Sequence, residues 1–258
     1  MSNRWETELW KCLLYGNPRV WKSYFAAQMP KPLKLFCFDP IGKEWAYLQQ
    51  GTPQEIQTVD DGGMFRSVVN AQGELVVEIE YFWDKFPKQI AKQKFPCAYE
   101  RFQASLEDHT NNNWKGFKSA ALDSYTFCEV AAKRFEQYKL NPGGSEWPWR
   151  NGVRDKVQDD IMSTLAWAPI HVCVVGHVDP KFIDEQAKQK WGIDAIGGLR
   201  AQLPAAFAEV YFMYETVTTE GPNQVWLMTE SNGQYIAGSV IGAPNPCEPR
   251  WEALWERQ

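Results

Sequence analysis

The apolar run Trp10-Lys11-Cys12-Leu13-Leu14-Tyr15 leads into Gly16, and past a short irregular stretch Tyr24-Phe25-Ala26-Ala27-Gln28-Met29 continues with helical character until Pro30. This reads as a buried strand, a glycine turn and a helix that proline stops. Strand, loop and helix thus follow in the order that a phosphate-binding loop requires. The turn itself, Gly16-Asn17-Pro18-Arg19-Val20-Trp21-Lys22-Ser23, matches G-x-x-x-x-G-K-[ST] except at Trp21, which stands where the second glycine belongs. In the complete pattern backbone N–H groups curl around a triphosphate, the lysine reaches the outer phosphates and the hydroxyl binds magnesium. The helix that follows turns its free N–H groups and positive dipole end toward the anion.

Trp21 decides whether such a loop works. Glycine leaves no side chain between backbone and phosphate and takes left-handed angles freely. A bulky residue held there costs on the order of 1–2 kcal/mol, which a stable fold absorbs. Obstruction matters more: an indole turned inward fills the triphosphate's volume, and one turned outward leaves the loop usable.

The chain has 258 residues, 44% of them hydrophobic, enough for one large core, and one domain over 1–258 is expected. Its apolar runs fall short of the ~20 residues of a membrane span, and the start Met-Ser-Asn-Arg-Trp-Glu lacks an apolar signal segment, so no membrane partner and a cytoplasmic setting are expected. Six cysteines lie scattered without a CxxC pair, which suggests neither zinc nor a disulfide framework. A formal charge of −5 argues against a globally basic nucleic-acid binder and leaves a local basic face open.

Further along, Leu33–Phe38 predicts a second buried strand ending at Asp39-Pro40. Residues 51–73 read as polar and turn-rich, Glu74–Tyr81 as a strand, Tyr99–Leu106 as a helix, and Asp108–Asn113 as a surface loop. Phe117–Ser124 predicts a strand ending in Asp-Ser, and Tyr125–Leu140 a helix with Phe127, Val130, Ala131, Phe135 and Tyr138 on one face. Residues 141–152 are expected to form a flexible loop, whose Trp147 and Trp149 either pin it or offer a contact surface. Val153–Trp167 returns to helical spacing, and Ile170–His177 is the most convincing buried strand. After a polar stretch from Asp179 to Gly198 come a helix or turn at Leu203–Phe207 and strands near Val210–Tyr214, Gln224–Thr229 and Tyr235–Ala237, the last two suggesting a hairpin across Ser231-Asn232-Gly233. Residues 244–258 are expected to be a tail.

The phosphate-loop pattern, Asp39, Asp123-Ser124 and His177 thus each close a strand, and ligands of open α/β sheets bind at the carboxyl ends of strands. In that order they resemble the core of RecA-like P-loop ATPases. Leu122-Asp123-Ser124-Tyr125-Thr126 is similar to the Asp-Ser Walker B of that family, and Val174-Val175-Gly176-His177 to the strand and histidine sensor of its phage-encoded members. Leu203–Val210, Met228-Thr229 and Gly233-Gln234-Tyr235 resemble the closing strands of phage AAA-domain nucleotide-binding proteins, some of them single-strand-annealing recombinases. The likeness runs from about residue 10 to 243 and is patchy between 51 and 113. It implies a RecA-like P-loop core with a mostly parallel sheet, flanking helices and antiparallel C-terminal strands. It implies ATP and Mg2+ as cofactors, bound at Gly16, Asn17, Pro18, Arg19, Val20, Trp21, Lys22, Ser23 and Tyr24, with Ser23 and Asp123 at the metal. It also implies a homo-oligomer in the host cytoplasm, with single-stranded DNA as a partner in recombination or annealing.

Within that resemblance Lys22, Asp123, His177 and Glu44 are the candidate catalytic residues, with His177 sensing the γ-phosphate. The family's activating glutamate follows the second strand, where this chain has Ile41; Glu44 is its shifted substitute. Each residue also has a plain reading: Lys22 an exposed helix lysine, Asp123 a helix cap, His177 a turn histidine, and Asp39 a turn residue before proline, the reading favoured for it. Two functions follow, an ATPase that tolerates Trp21 or a degenerate P-loop protein serving as a scaffold. A phosphotransferase ranks behind both, since no basic lid motif is found.

Overall fold

The computed structural model describes residues 8–58, 63–84, 96–179, 191–218 and 221–255. The chain start, residues 59–62 of the turn-rich stretch and residues 180–190 of the polar stretch lie outside them.

Among the described residues twelve strands form the sheet: β1 (Lys11–Gly16), β2 (Leu33–Cys37), β3 (Thr52–Pro53), β4 (Gln57–Thr58), β5 (Met64–Val69), β6 (Leu75–Tyr81), β7 (Ser119–Asp123), β8 (His171–Asp179), β9 (Gly192–Ile193), β10 (Glu209–Thr216), β11 (Gln224–Met228) and β12 (Gly238–Ser239). The order across it is β11-β10-β1-β8-β7-β2-β6-β5-β3, with β10 through β6 parallel and antiparallel pairs at both margins. This is the mostly parallel α/β architecture, with antiparallel C-terminal strands, that the resemblance implies.

The central strands are mostly apolar because both faces are covered. Alternation divides their side chains between two cores. Leu13, Tyr15, Phe36, Leu122, Val172 and Val174 face one, beneath the helices Ala98–Asn111, Tyr125–Phe135, Glu146–Val157 and Leu199–Ala206. Cys12, Leu14, Leu35, Ala121, Cys173 and Val175 face the other, with Phe25 from the helix Lys22–Ala26, Tyr47 from the helix Trp45–Leu48, and Trp251. None of the helices is long and apolar enough to cross a membrane, among the described residues.

Several local expectations change. The stretch 108–113 is not a loop, since the helix runs to Asn111; the Thr110 hydroxyl donates to the Leu106 carbonyl at 2.8 Å, and His109 stacks on Trp114 with centroids 5.3 Å apart. The loop expected over 141–152 becomes helical at Glu146, because Pro148 falls in the first turn, where no intrahelical N–H is required. Trp149 is buried there, beneath the Lys133 ammonium. The helices after Tyr125 and Glu146 end in wider turns at Glu136–Leu140 and Gln158–Leu165. The turn-rich stretch contains β3 and β4, exposed two-residue strands at the margin, and β5, a mostly half-buried strand that pairs with both of them and with β6. The hairpin expected across Ser231–Gly233 does not form: β11 pairs with β10, and Tyr235 bridges to Trp191. Within the expected tail, Cys247 bridges Leu227, and Trp251 meets Trp10 edge to face at 4.9 Å.

Candidate functional site

The strands β1, β8, β7 and β2 are neighbours, and their register aligns their chemistry. Gly16 lies opposite His177, and Asp123 lies opposite both Val175 and Cys37. The Phe38 N–H donates to the Asp123 carbonyl at 2.8 Å and carries Asp39 to the same edge. There a cavity of about 630 Å³ opens, lined by Pro18, Arg19, Trp21, Lys22, Ser23, Tyr24, Asp39, Lys43, Trp45, Ala46, Asp123 and His177.

Gly16 allows β1 to lie against β10, since a Cβ on it would come within 2.3 Å of the Met213 carbonyl oxygen. Two side-chain-bearing residues in the loop take left-handed angles, Arg19 at φ 69° and Trp21 at φ 66°. Trp21 is 54% exposed and rests on the Tyr24 ring at 4.7 Å, so its indole lines the cavity with over half of its surface open.

Lys22 opens a helix of only five residues, shorter than expected. It is 6% exposed, and its Nζ donates to the carbonyls of Gly16 at 3.0 Å and Asn17 at 2.6 Å. Burial lowers its pKa to about 8 against the pull of Asp123 and Asp39, which still leaves a cation at neutral pH.

Asp123 accepts from the Tyr47 hydroxyl at 3.1 Å and from Ser23. Burial, then the neighbouring Asp39 charge, raises its pKa to about 6; the Ser23 and Tyr47 bonds and Lys22 oppose the rise. The capping alternative finds no support, because Ser124 occupies the cap position, makes no capping bond, and donates its hydroxyl to Asp39 at 3.0 Å. His177 faces the cavity, its backbone N–H donating to the Thr126 hydroxyl at 3.2 Å. Burial first, then Lys22, lowers its pKa, favouring the neutral ring.

Glu44 is not brought into this group. It is buried, accepting from the Tyr81 hydroxyl at 3.1 Å and the Gly42 N–H at 2.5 Å, with Arg66 at 3.7 Å. The cavity instead gains Asp39, Lys43 and, behind Asp123, Tyr47. Asp39 carried the same signal as Asp123, an acid at the end of a buried strand, and the following proline drew it to the turn reading. Tyr47 gave none, since its hydroxyl reaches Asp123 only through the fold.

The Ser23 hydroxyl and Asp123 carboxylate form an oxygen donor pair of the kind a magnesium ion takes. Among the described residues no three His, Cys, Asp or Glu side chains converge as a metal site, so phosphate oxygens and water would complete its shell. Against known proteins, the sequence matches no family and no curated protein. Among solved structures, the flagellar accessory protein FlaH of Methanocaldococcus jannaschii aligns over 88% of this chain and 84% of its own, with 8% identity and a TM-score of 0.39.

Proposed function

We propose that the cavity binds a nucleoside triphosphate with magnesium, ATP being the nucleotide that the sequence resemblance implies. The observation that carries this reading is Lys22, a buried cation folded onto its own loop's carbonyls beside Ser23 and Asp123. An incoming phosphate offers Nζ stronger, charged acceptors than these carbonyls. Ser23 and Asp123 would hold the magnesium, whose charge offsets that of the phosphates. His177, favoured neutral, can accept or donate a hydrogen bond at the outer phosphate.

Turnover needs a group to orient the attacking water. Asp39 is the cavity's other carboxylate, and its bond from Ser124 holds it in place. The wider reading, a phage-encoded, oligomeric, host-cytoplasmic ATPase that supports DNA recombination or strand annealing, draws its support from the sequence resemblance. A second reading, a nucleotide-binding assembly or scaffold component without turnover, is favoured by the engagement of Glu44 with Tyr81 and Arg66.

Calorimetry with magnesium and ATP, followed by phosphate release with and without single-stranded DNA, tests both. Binding with DNA-stimulated release supports the ATPase, and binding without release supports the scaffold. Absence of binding removes the nucleotide reading.

A further inference from the structure

The mouth of the cavity is aromatic. Trp21 leaves the phosphate loop on one side, and Trp45, at the start of the helix Trp45–Leu48, lines the same cavity with 59% of its surface exposed. The two short helices beside these rings pack against each other. Tyr24 braces the Trp21 ring at 4.7 Å and 53°, leaving over half of the indole open. Large exposed indoles beside a buried cation, within one cavity of about 630 Å³, present a π surface and an anion site to the same ligand.

Resting on the nucleotide reading, we propose that Trp21 and Trp45 form the base subsite: the nucleobase stacks on these indoles while its phosphates reach Lys22 and Ser23. The residue that breaks the loop pattern thereby becomes the group that tells a nucleotide from a bare polyphosphate. Its backbone adopts the left-handed conformation at φ 66°, and its ring lines the cavity with over half of its surface exposed. Every base has a π face, so the subsite recognises nucleosides as a class and discriminates weakly between ATP and GTP.

The test compares magnesium-ATP with magnesium-tripolyphosphate by calorimetry on the full chain, following tryptophan fluorescence. ATP is expected to bind about tenfold tighter or more, the contribution of one base–aromatic stack, and to quench fluorescence. Trp45→Ala should weaken ATP by about tenfold with tripolyphosphate affinity unchanged. Trp21→Ala should bring the ATP-to-tripolyphosphate ratio toward one, and Trp21→Phe, which keeps a ring, should retain most of it. Thermal melts of each variant confirm folding.

Equal affinities in the unaltered protein, or a ratio that survives both alanine variants, would overturn the proposal while leaving the phosphate site intact. Quenching by a single-stranded oligonucleotide but not by ATP would also overturn it and assign the indoles to nucleic acid. If neither polyphosphate binds, the nucleotide reading fails first and takes the base subsite with it.

Discussion

Among the described residues two lysines are buried, and their partners differ. Lys34, on β2 and 1% exposed, reaches Glu78 at 2.7 Å and Glu80 at 2.8 Å, while the Ser105 hydroxyl donates to Glu80 at 2.6 Å. Its charge is answered within the fold, and aromatic rings of Phe36 and Phe65 lie near it. Lys22 is buried almost as deeply but bonds to the carbonyls of Gly16 and Asn17, while the nearby Asp123 is bonded to Ser23 and Tyr47. Carbonyl dipoles hold a cation without neutralising it, so Lys22 keeps its charge at the cost of desolvation, as the proposed phosphate role requires. The two lysines thus differ in whether the groups they bond to carry full charge.

The largest effect that would break this contrast is on stability at the first lysine. Lys34→Ala strands two carboxylates and should lower unfolding free energy by about 3 kcal/mol or more in urea titrations, with tripolyphosphate affinity retained in the folded fraction. A small loss would mean that the pair is not structural. At the second lysine the order reverses. Lys22→Ala should reduce ATP affinity on the order of 100-fold by calorimetry while shifting stability by less than about 1 kcal/mol. Unchanged affinity would contradict the phosphate role.

Asp123 sharpens the contrast through its proton. Its pKa rises on folding from 3.8 to about 6, so the folded chain holds the proton more tightly than the unfolded one. The favourable contribution is complete below about pH 3.8 and is lost as pH rises through about 6. Asp123→Asn should therefore stabilise the protein at pH 7, on the order of 1–2 kcal/mol in urea, with the gain vanishing near pH 4. The same variant should lose the magnesium-dependent part of ATP affinity, and a loss of stability at pH 7 would reverse the sign argued here. In the unaltered protein, ATP affinity should fall as Asp123 protonates below about pH 6 and as Lys22 deprotonates above about pH 8. The smallest effect is expected for Trp21→Gly. Relief of a left-handed backbone opposes the greater freedom of the unfolded chain and the lost contact with Tyr24, for a net change within about 1 kcal/mol. A rise in tripolyphosphate affinity of about tenfold or more would mean that the indole obstructs the loop.

Much of the architecture was legible in runs of residues. Trp10–Tyr15, Leu33–Phe38, Phe117–Ser124 and Ile170–His177 each announced a central strand, since a doubly buried strand needs a largely apolar run whatever its partners. The margins were harder. The short β3 and β4 become strands only by pairing with β5, and β11 pairs with β10 rather than across the nearer turn. The helix at Glu146 hid behind Pro142, Gly143, Gly144 and Pro148, residues that usually mark a loop. Among the site residues, Lys22, Ser23, Asp123 and His177 were visible from strand ends and a spaced pattern, and they meet at one cavity. Glu44 was placed by its distance along the chain from β2, and that distance says nothing of the Tyr81 hydroxyl and Arg66 side chain brought to it by the sheet's far margin.

By itself the sequence determined the buried strands, the glycine turn after the first, and the polar groups at their ends, because burial periodicity and backbone freedom are properties of neighbouring residues. Tertiary structure decided the rest: the packing of Trp21 against Tyr24, the bond from Ser124 that holds Asp39 at the cavity, and the diversion of Glu44. Where a side chain points at a turn depends on space and partners supplied by distant segments, and local pattern carries no record of these.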